Sequence, residues 1–416
     1  MKSQDAWENK RRSNGAVAIR SGNMMWAAAT AICVSYILST LPTPLYPIYE
    51  QAFHFSQIML TVIYAVYVVG TVTAMFFFGR LSDQVGRRLV VLISLGIAAA
   101  GALVCVFAQG TWWLFPARIL SGLGIALVSG AATAWIVESE PDANKAAATQ
   151  IAIGANSLGL AIGSLMAGFL AQYAPWPLRL SYLVFIVLLI PVALVIWKTQ
   201  ETVHKARSLG EASIAPRLAV PREIFGAFLP AAVGAFATFA VLGFYTALVP
   251  TLLEKALQNK NQATAGGIVG ELFLTGTIAI ALTPRLRPHR GLLIALIALL
   301  PNLGFLVAAE IARSMWILLI GTAVGGIATG LGYRCSLQKV NESAPEDKRS
   351  EIVSAYLIAC YAGISLPVIG IALVAKATGP AIADAIFGAF IGLLALLALI
   401  VEWKVGKSAT QNNNPR

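Results

Sequence analysis

Long apolar runs separated by short polar segments dominate the chain. A helix rises about 1.5 Å per residue, so about 20 residues cross the roughly 30 Å hydrocarbon layer of a bilayer. Only a helix satisfies its own backbone groups within one such segment. A large soluble helical core would instead need polar faces at a 3.6-residue period, which these runs lack. The pattern predicts an all-α integral membrane protein with twelve transmembrane helices, at 24–46, 57–79, 89–108, 112–137, 146–173, 180–197, 224–250, 264–283, 291–309, 314–337, 352–375 and 380–403.

Composition and charge agree with this prediction and add an orientation. The chain is 58% hydrophobic and 12% charged, whereas a soluble chain carries about a quarter charged residues. Of its 30 Lys and Arg residues, 23 fall in one set of alternating loops and tails and five in the other. The positive-inside rule therefore predicts that both termini are cytoplasmic. Because the basic residues are scattered over short loops, the net charge of +11 does not indicate a nucleic-acid partner.

Candidate chemistry for an enzyme is sparse in this sequence. The four cysteines fall within predicted spans and the three histidines in loops, so we expect neither a disulfide nor a metal site. Residues 406–408 read Gly-Lys-Ser, but Val401 stands where a phosphate loop would begin with glycine. We predict no cofactor and no enzymatic activity. A membrane enzyme or sensor is a remote alternative, since it would need a buried catalytic cluster or a soluble signalling domain.

The two halves of the chain repeat. The segment 138–145 after span four aligns with 342–349 after span ten, at an offset of 204 residues, and 43–47 aligns with 246–250 at 203. This duplication predicts two parallel six-helix halves, an arrangement in which transporters place a site between the halves. The predicted organisation is a tail at 1–23, halves at 24–197 and 224–403 joined by a linker at 198–223, and a second tail at 404–416.

One loop carries a specific motif. It resembles the G-x-L-x-D-x-x-G-R-[KR] signature of the major facilitator superfamily, which it matches at Gly79, Leu81, Asp83, Gly86, Arg87 and Arg88. Arg118-x-x-x-Gly122-x-Gly124 is similar to the family's second motif, and 159–164 resembles a span-five motif associated with antiporters, with Leu160 at the usual proline position. The resemblance implies a major facilitator fold, a small-molecule substrate, a bacterial inner-membrane location, surrounding lipid and a monomer.

The charges of this motif predict a conformational latch. Gly79 and Gly86 allow tight turns. Asp83 can accept hydrogen bonds from the first N–H groups of span eleven, near Glu351. Arg87 can pair with Asp83 and with Glu138, a pairing that the resemblance also suggests, and Arg88 completes the motif. The alternative is that Arg87 and Arg88 only fix the topology beside lipid headgroups.

Charges inside the spans need a reason, because a charge near the bilayer centre costs roughly 2.5–3.5 kcal/mol on insertion scales. Glu271 lies near the middle of span eight and is our candidate proton carrier; the alternative is a packing role. The resemblance to the family's second motif implies that Arg118 lies close to the proton path or the cavity; the alternative is that its guanidinium snorkels or pairs with backbone carbonyls. We interpret Arg334 as structural, and Asp384 as stabilised by the dipole of its helix.

The substrate is constrained only broadly. Aromatic and polar residues within spans are candidates to line a cavity, although Tyr and Trp also favour helix ends. One Glu in an apolar cavity suggests a hydrophobic or cationic organic compound and proton-coupled export. The alternative is a nutrient importer or facilitator of the same fold. The predicted cavity residues are Tyr36, Tyr64, Tyr67, Asn156, Tyr245, Asn302 and Tyr361.

Overall fold

The computed structural model describes residues 21–79, 81–140, 144–203, 221, 224–345 and 348–412. The predicted tails 1–23 and 404–416 and the linker 198–223 lie largely or partly outside these residues. Within the described residues the protein is all-helical. Its helices are α1 Ser21–Thr40, α2 Tyr46–Phe53, α3 Gln57–Phe78, α4 Leu81–Val85, α5 Arg87–Val106, α6 Thr111–Ser139, α7 Lys145–Tyr173, α8 Leu180–Lys198, α9 Phe225–Ala247, α10 Val249–Lys255, α11 Gln262–Leu282, α12 Pro288–Ala312, α13 Met315–Ser343, α14 Arg349–Thr378 and α15 Pro380–Asn412.

Twelve helical segments of the described chain are long and apolar enough to cross a membrane, so the predicted spans are confirmed in number and order. Spans one and seven are each followed by a short helix that continues past the predicted end. Span one was predicted to end at Tyr46, but a 3₁₀ turn leads into α2, which continues to Phe53. Span seven was predicted to end at Pro250, yet α10 continues to Lys255. Both extensions begin with a proline in the first turn, where its missing N–H costs nothing.

Side-chain caps fix where several helices begin. The cap oxygen accepts a hydrogen bond from a backbone N–H two or three positions into the helix, which satisfies one of the unpaired donors there. The caps and donors are Ser56 with Met59 at 3.3 Å, Asn144 with Ala147 at 3.1 Å, Asn261 with Thr264 at 3.1 Å and Ser314 with Ile317 at 3.5 Å. Short polar sequences thus determine the residue at which several long apolar helices begin.

The helices form two groups. In the first, α1 packs on α6, α7 and α8, while α6 also packs on α3 and α5. In the second, α13 packs on α9, α11 and α12, and α15 packs on α9 and α12. Two long contacts join the groups: α7 with α11, and α3 with α14. The first contact joins spans five and eight, and the second joins spans two and eleven. The two contacts are equivalent in a repeated six-helix unit, because span eight corresponds to span two and span eleven to span five.

The outer face is apolar, as lipid contact requires. Trp112 and Trp316 are 75% and 76% exposed and begin α6 and α13, at equivalent positions of the two halves. Tryptophan favours the membrane–water interface, so the pair marks one edge of the hydrocarbon layer. The interior of the bundle is therefore the place where polar side chains collect.

Candidate functional site

A charge cluster consisting of Asp83, Arg87, Glu138 and Glu201 lies at the end of the bundle that carries residues 79–88, here called the motif end. Arg87 is buried in the first turn of α5 and pairs with Asp83. Its Nε and Nη2 donate to Glu138 Oε1 at 3.2 and 2.8 Å. The predicted Arg87 pairs with Asp83 and Glu138 are thus both present. A guanidinium shared by two carboxylates ties α4, α5 and α6 together.

Glu201 is the member of this cluster that the sequence reasoning missed. Its Oε1 accepts from the backbone N–H of Arg87 at 2.7 Å and its Oε2 from that of Arg88 at 3.0 Å, so it caps α5 from 114 residues away. Arg88 Nη1 donates in return to the carbonyl of Thr199 at 3.1 Å. Gly86 has φ of +110°, and an added Cβ would meet the Glu201 carboxylate. The only sequence signal was an acid three residues past the end of α8.

Asp83 was predicted to reach the start of span eleven. Its hydrogen-bond partner among the described residues is Arg87 instead, and its side chain is 55% exposed. Gly79, at the end of α3, lines the large cavity that separates the two halves here. The predicted contact with span eleven therefore stays a prediction.

The cavity has a volume of about 690 Å³ and lies between the two helix groups. It reaches exposed residues at the motif end, including Lys145, Glu342 and Arg349. A smaller chamber of about 100 Å³, here called the upper chamber, continues it toward the other end of the bundle. The two spaces share the lining residues Tyr36, Asn156, Tyr333, Leu357 and Tyr361.

Five of the seven predicted cavity residues line the upper chamber: Tyr36, Tyr64, Tyr67, Asn156 and Tyr361. The sequence reasoning missed Tyr333, whose ring packs edge-on against Phe239 at 5.4 Å between centroids. Tyr67 and Tyr361 meet across the halves at 6.2 Å. The walls are therefore largely aromatic, with hydroxyl groups as the main polar component.

Tyr245 and Asn302 do not line either space. Both are fully buried within the second helix group, where Asn302 Nδ2 donates to Tyr245 Oη at 3.0 Å and to the carbonyl of Gly321 at 2.8 Å. Thr322 Oγ1 donates to the same tyrosine oxygen at 3.5 Å. A buried amide and a buried phenol must be paired, and here they pair with each other. Their prediction as cavity residues is corrected to an internal network that joins α9, α12 and α13.

Arg118 lines the upper chamber and is 3% exposed. Its guanidinium lies over the rings of Tyr67 and Tyr64, at 5.0 and 5.7 Å from their centroids. It donates to the carbonyls of Ser39 at 3.3 Å and Tyr64 at 3.5 Å, while Nε has no hydrogen-bond partner among the described residues. The group is therefore held by ring faces and weak carbonyl contacts.

Glu271 is half-buried on α11, beside the upper chamber but not in its lining. Leu272, Phe273 and Gly276 of the same helix do line the chamber. Glu271 Oε2 is buried and has no hydrogen-bond partner within the described part of the chain. The predicted proton carrier is thus a sequence neighbour of chamber-lining residues but does not itself line the chamber.

The end of the bundle opposite the motif end, here called the far end, is closed by contacts between the halves. Lys255 Nζ donates to Gln57 Oε1 and Gln51 Nε2 to Glu254 Oε1, each at 3.3 Å. Deeper in, the hydroxyls of Tyr64 and Thr246 lie 2.6 Å apart. The central space is therefore accessible from the motif end and sealed at the far end.

Twelve membrane helices in two groups around a central cavity open at one end define an integral membrane transport protein. The family model of the Major Facilitator Superfamily matches residues 28–368. The chain belongs to this superfamily of transporters, as the motif predicted, and the major facilitator fold is confirmed.

Similar proteins include transporters of several kinds. The chain is 30% identical over 149 residues to the tetracycline resistance protein, class B, of Escherichia coli. This match covers 35% of this chain and 35% of that protein. It is 24% identical over 151 residues to the multidrug resistance protein MdtL of a Shewanella species, covering 36% of this chain and 38% of that protein. It is 21% identical over 156 residues to the riboflavin transporter RibZ of Clostridioides difficile, covering 36% and 34%. The chain thus matches about a third of the length of these relatives.

A solved structure shows the same fold over nearly the whole chain. It is a bacterial homolog of the human lysosomal transporter Spinster, described as inward-facing and unoccupied. The superposition has a TM-score of 0.64 and covers 92% of this chain and 97% of that one, at 17% identity. This likeness establishes the fold alone.

Proposed function

We propose that this protein exports small, largely hydrophobic organic compounds by alternating access, driven by the proton gradient. The observation that carries the proposal is the central aromatic cavity, open at the motif end and sealed at the far end. The excess of Lys and Arg in the loops of the motif end supports placing that end in the cytoplasm. In this state the cavity accepts a compound from the cytoplasm, which is the loading step of an exporter.

The charge cluster is proposed as the latch of this cycle. In the present state its ion pairs lie within the first helix group, and Asp83 is half-exposed. When the halves close over the motif end, Asp83 approaches the first turn of α14, whose free N–H groups attract a carboxylate. Breaking and forming this contact would time the exchange between states.

Glu271 is proposed as the proton carrier. A carboxyl group with a buried, unpartnered oxygen in the middle of a membrane helix is costly unless it binds a proton during the cycle. It shares α11 with three chamber-lining residues, Leu272, Phe273 and Gly276, so a movement of that helix would change its surroundings together with the chamber. Protonation and the shape of the chamber would then be linked.

Transport in proteoliposomes tests the proposal. The ligand is the compound that most raises the melting temperature of the purified protein in a thermal-shift screen. We expect an imposed pH gradient to drive its uphill movement, and Glu271→Gln to abolish that movement while counterflow exchange persists, because exchange need not release the proton. Glu271→Asp keeps a titratable group and should retain part of the uphill flux. Undiminished uphill transport by Glu271→Gln would eliminate Glu271 as the coupling residue.

The second candidate function is import or facilitated diffusion of a nutrient in the same fold. The similarity to a riboflavin transporter and to a plant sugar transporter of the ERD6-like group supports it. Vesicles with the pH clamped on both sides separate the two. Export predicts accumulation only against an opposing proton gradient, whereas facilitation predicts equilibration without one.

A further inference from the structure

The fixed charge along the transport path is predominantly positive. Among the described lining residues of the upper chamber, Arg118 is the one charged side chain. The lining of the main cavity adds Lys145, Arg334 and Arg349 near the motif end, against the single acid Glu342. Such a path attracts anions and repels cations, because apolar walls concentrate the field of the charges that line them. The cationic substrates suggested by the sequence alone are disfavoured by this arrangement.

Arg118 lacks the counter-charge that a buried guanidinium normally has. No carboxylate pairs with it within the described part of the chain, and its two carbonyl contacts are long, at 3.3 and 3.5 Å. Its Nε has no partner among the described residues and is left for another acceptor. Arg334 differs, since it donates to the carbonyls of Thr283 at 2.7 Å and Pro284 at 3.0 Å and so closes the end of α11. A buried charge without a partner is costly, and a carboxylate is the acceptor whose geometry matches a guanidinium.

Flat aromatic walls surround this unpaired charge. The rings of Tyr67 and Tyr64 already contact the guanidinium face, and Tyr36, Tyr333 and Tyr361 line the space next to it. Aromatic rings pack well against one another in offset or edge-on arrangements. The tyrosine hydroxyls offer further donors to an anion.

We propose that the transported compound is an aromatic carboxylate, with its carboxylate on Arg118 and its ring between the tyrosines of the upper chamber. This inference rests on the proposed role of the cavity as the substrate site and adds the substrate's chemical class. Arg118 is then a binding residue whose charge is compensated only in the loaded state. The positive residues near the motif end guide the anion inward.

Three probes of matched shape and different charge test the inference: 2-naphthoate, neutral 2-naphthamide and cationic 2-naphthylmethylammonium. Binding to the purified full-length protein is measured by calorimetry and by the shift of its melting temperature. We expect the carboxylate to bind at least about tenfold more tightly than the amide, and the cation least, because a charge-assisted hydrogen bond is about twice as strong as a neutral one. Equal or weaker binding of the carboxylate relative to the cation, including no binding of either, would overturn the inference.

Substitutions of Arg118 test whether this residue causes the preference for the carboxylate probe. Arg118→Gln should lower naphthoate affinity at least about tenfold and bring it close to that of the amide. Arg118→Lys keeps the charge but loses the planar fork, so it should retain a preference for the carboxylate over the cation. Lys376→Gln, which alters an exposed charge in the last turn of α14 outside both cavities, is the control and should change affinity less than threefold. Unchanged naphthoate affinity in Arg118→Gln would overturn the assignment. If that variant does not fold, Arg118→Lys and the wild-type order of the three probes still decide.

The outcomes separate this inference from the proposed export function. Gradient-driven transport of the cationic probe with no preference for naphthoate would contradict the substrate class and leave the exporter intact. Selective naphthoate binding without any response of its flux to a pH gradient would support the substrate class and contradict proton coupling.

Discussion

At the scale of single residues, Gly86 shows how strictly the motif constrains the backbone. Residues with a side chain rarely adopt its φ of +110°. A Cβ added at this position would also meet the Glu201 carboxylate. The same carboxylate caps the first two N–H groups of α5. The glycine of the motif therefore serves the helix cap as much as the turn.

Gly86→Ala should lower the stability of the protein by about 1–3 kcal/mol, the usual cost of a strained backbone conformation, and also displace Glu201. Gly96→Ala is the matched control, because it lies in the same helix with nothing within 4 Å of an added Cβ. Thermal unfolding of both variants in detergent measures the difference. Equal melting temperatures for the two variants would contradict the assigned role of Gly86.

Asp83→Asn should abolish or severely reduce transport while expression and membrane insertion stay near normal. The substitution removes the charge that pairs with Arg87 and that we propose attracts the start of α14, yet it alters no apolar contact within the membrane. Flux in proteoliposomes, scaled to the amount of inserted protein, is the measurement. Wild-type flux in this variant would rule out the latch.

Residue roles were predictable from the sequence only where the partner was nearby or the motif was specific. Asp83, Arg87 and Glu138 belong to a recognisable pattern, and the structure brings them together. Glu201 acts from 114 residues away, and no periodicity indicates which helix start it caps. Tyr245 and Tyr361 both lie within apolar spans, and the sequence does not distinguish them. Their positions differ because α9 packs against α13, which buries Tyr245, whereas α14 packs against α3, which places Tyr361 at the cavity.

At the scale of helices, α12 and α15 each contribute an acid to one small internal space. Asp384 was interpreted as stabilised by the dipole of its own helix; it is buried and lies near Glu310 of α12. Glu310 Oε2 has no hydrogen-bond partner among the described residues. Both acids line a small space of about 40 Å³ together with Thr251 and Lys255.

Helix number and order were predictable because lipid tolerates only long apolar segments with internally paired backbones. The residues at which the helices end were less predictable. Polar caps such as Asn144 and Ser314 placed some starts well, whereas α6 and α13 continue past their predicted ends to Ser139 and Ser343. These extensions are polar, so hydropathy alone gives no sign that they are helical.

At the scale of the whole molecule, the two halves meet where side chains are smallest. In the contact between α7 and α11, a Cβ added to Gly168 or to Gly266 would meet the other glycine's Cα or backbone. Such close approach lets helices pack without interlocking side chains, as small residues do in membranes. In the proposed cycle, the halves would rock about this contact while the far end opens and the motif end closes.

The most direct test of alternating access is to fix the far end shut. Gln57 and Lys255 contact each other across the halves, so cysteines at both positions can be joined by a short reducible cross-linker in a background whose four native cysteines are replaced. Each single cysteine variant, treated alike, is the control. We predict that the cross-linked protein loses transport completely and regains it on reduction, while ligand binding from the motif end persists. Full transport by completely cross-linked protein would contradict the account.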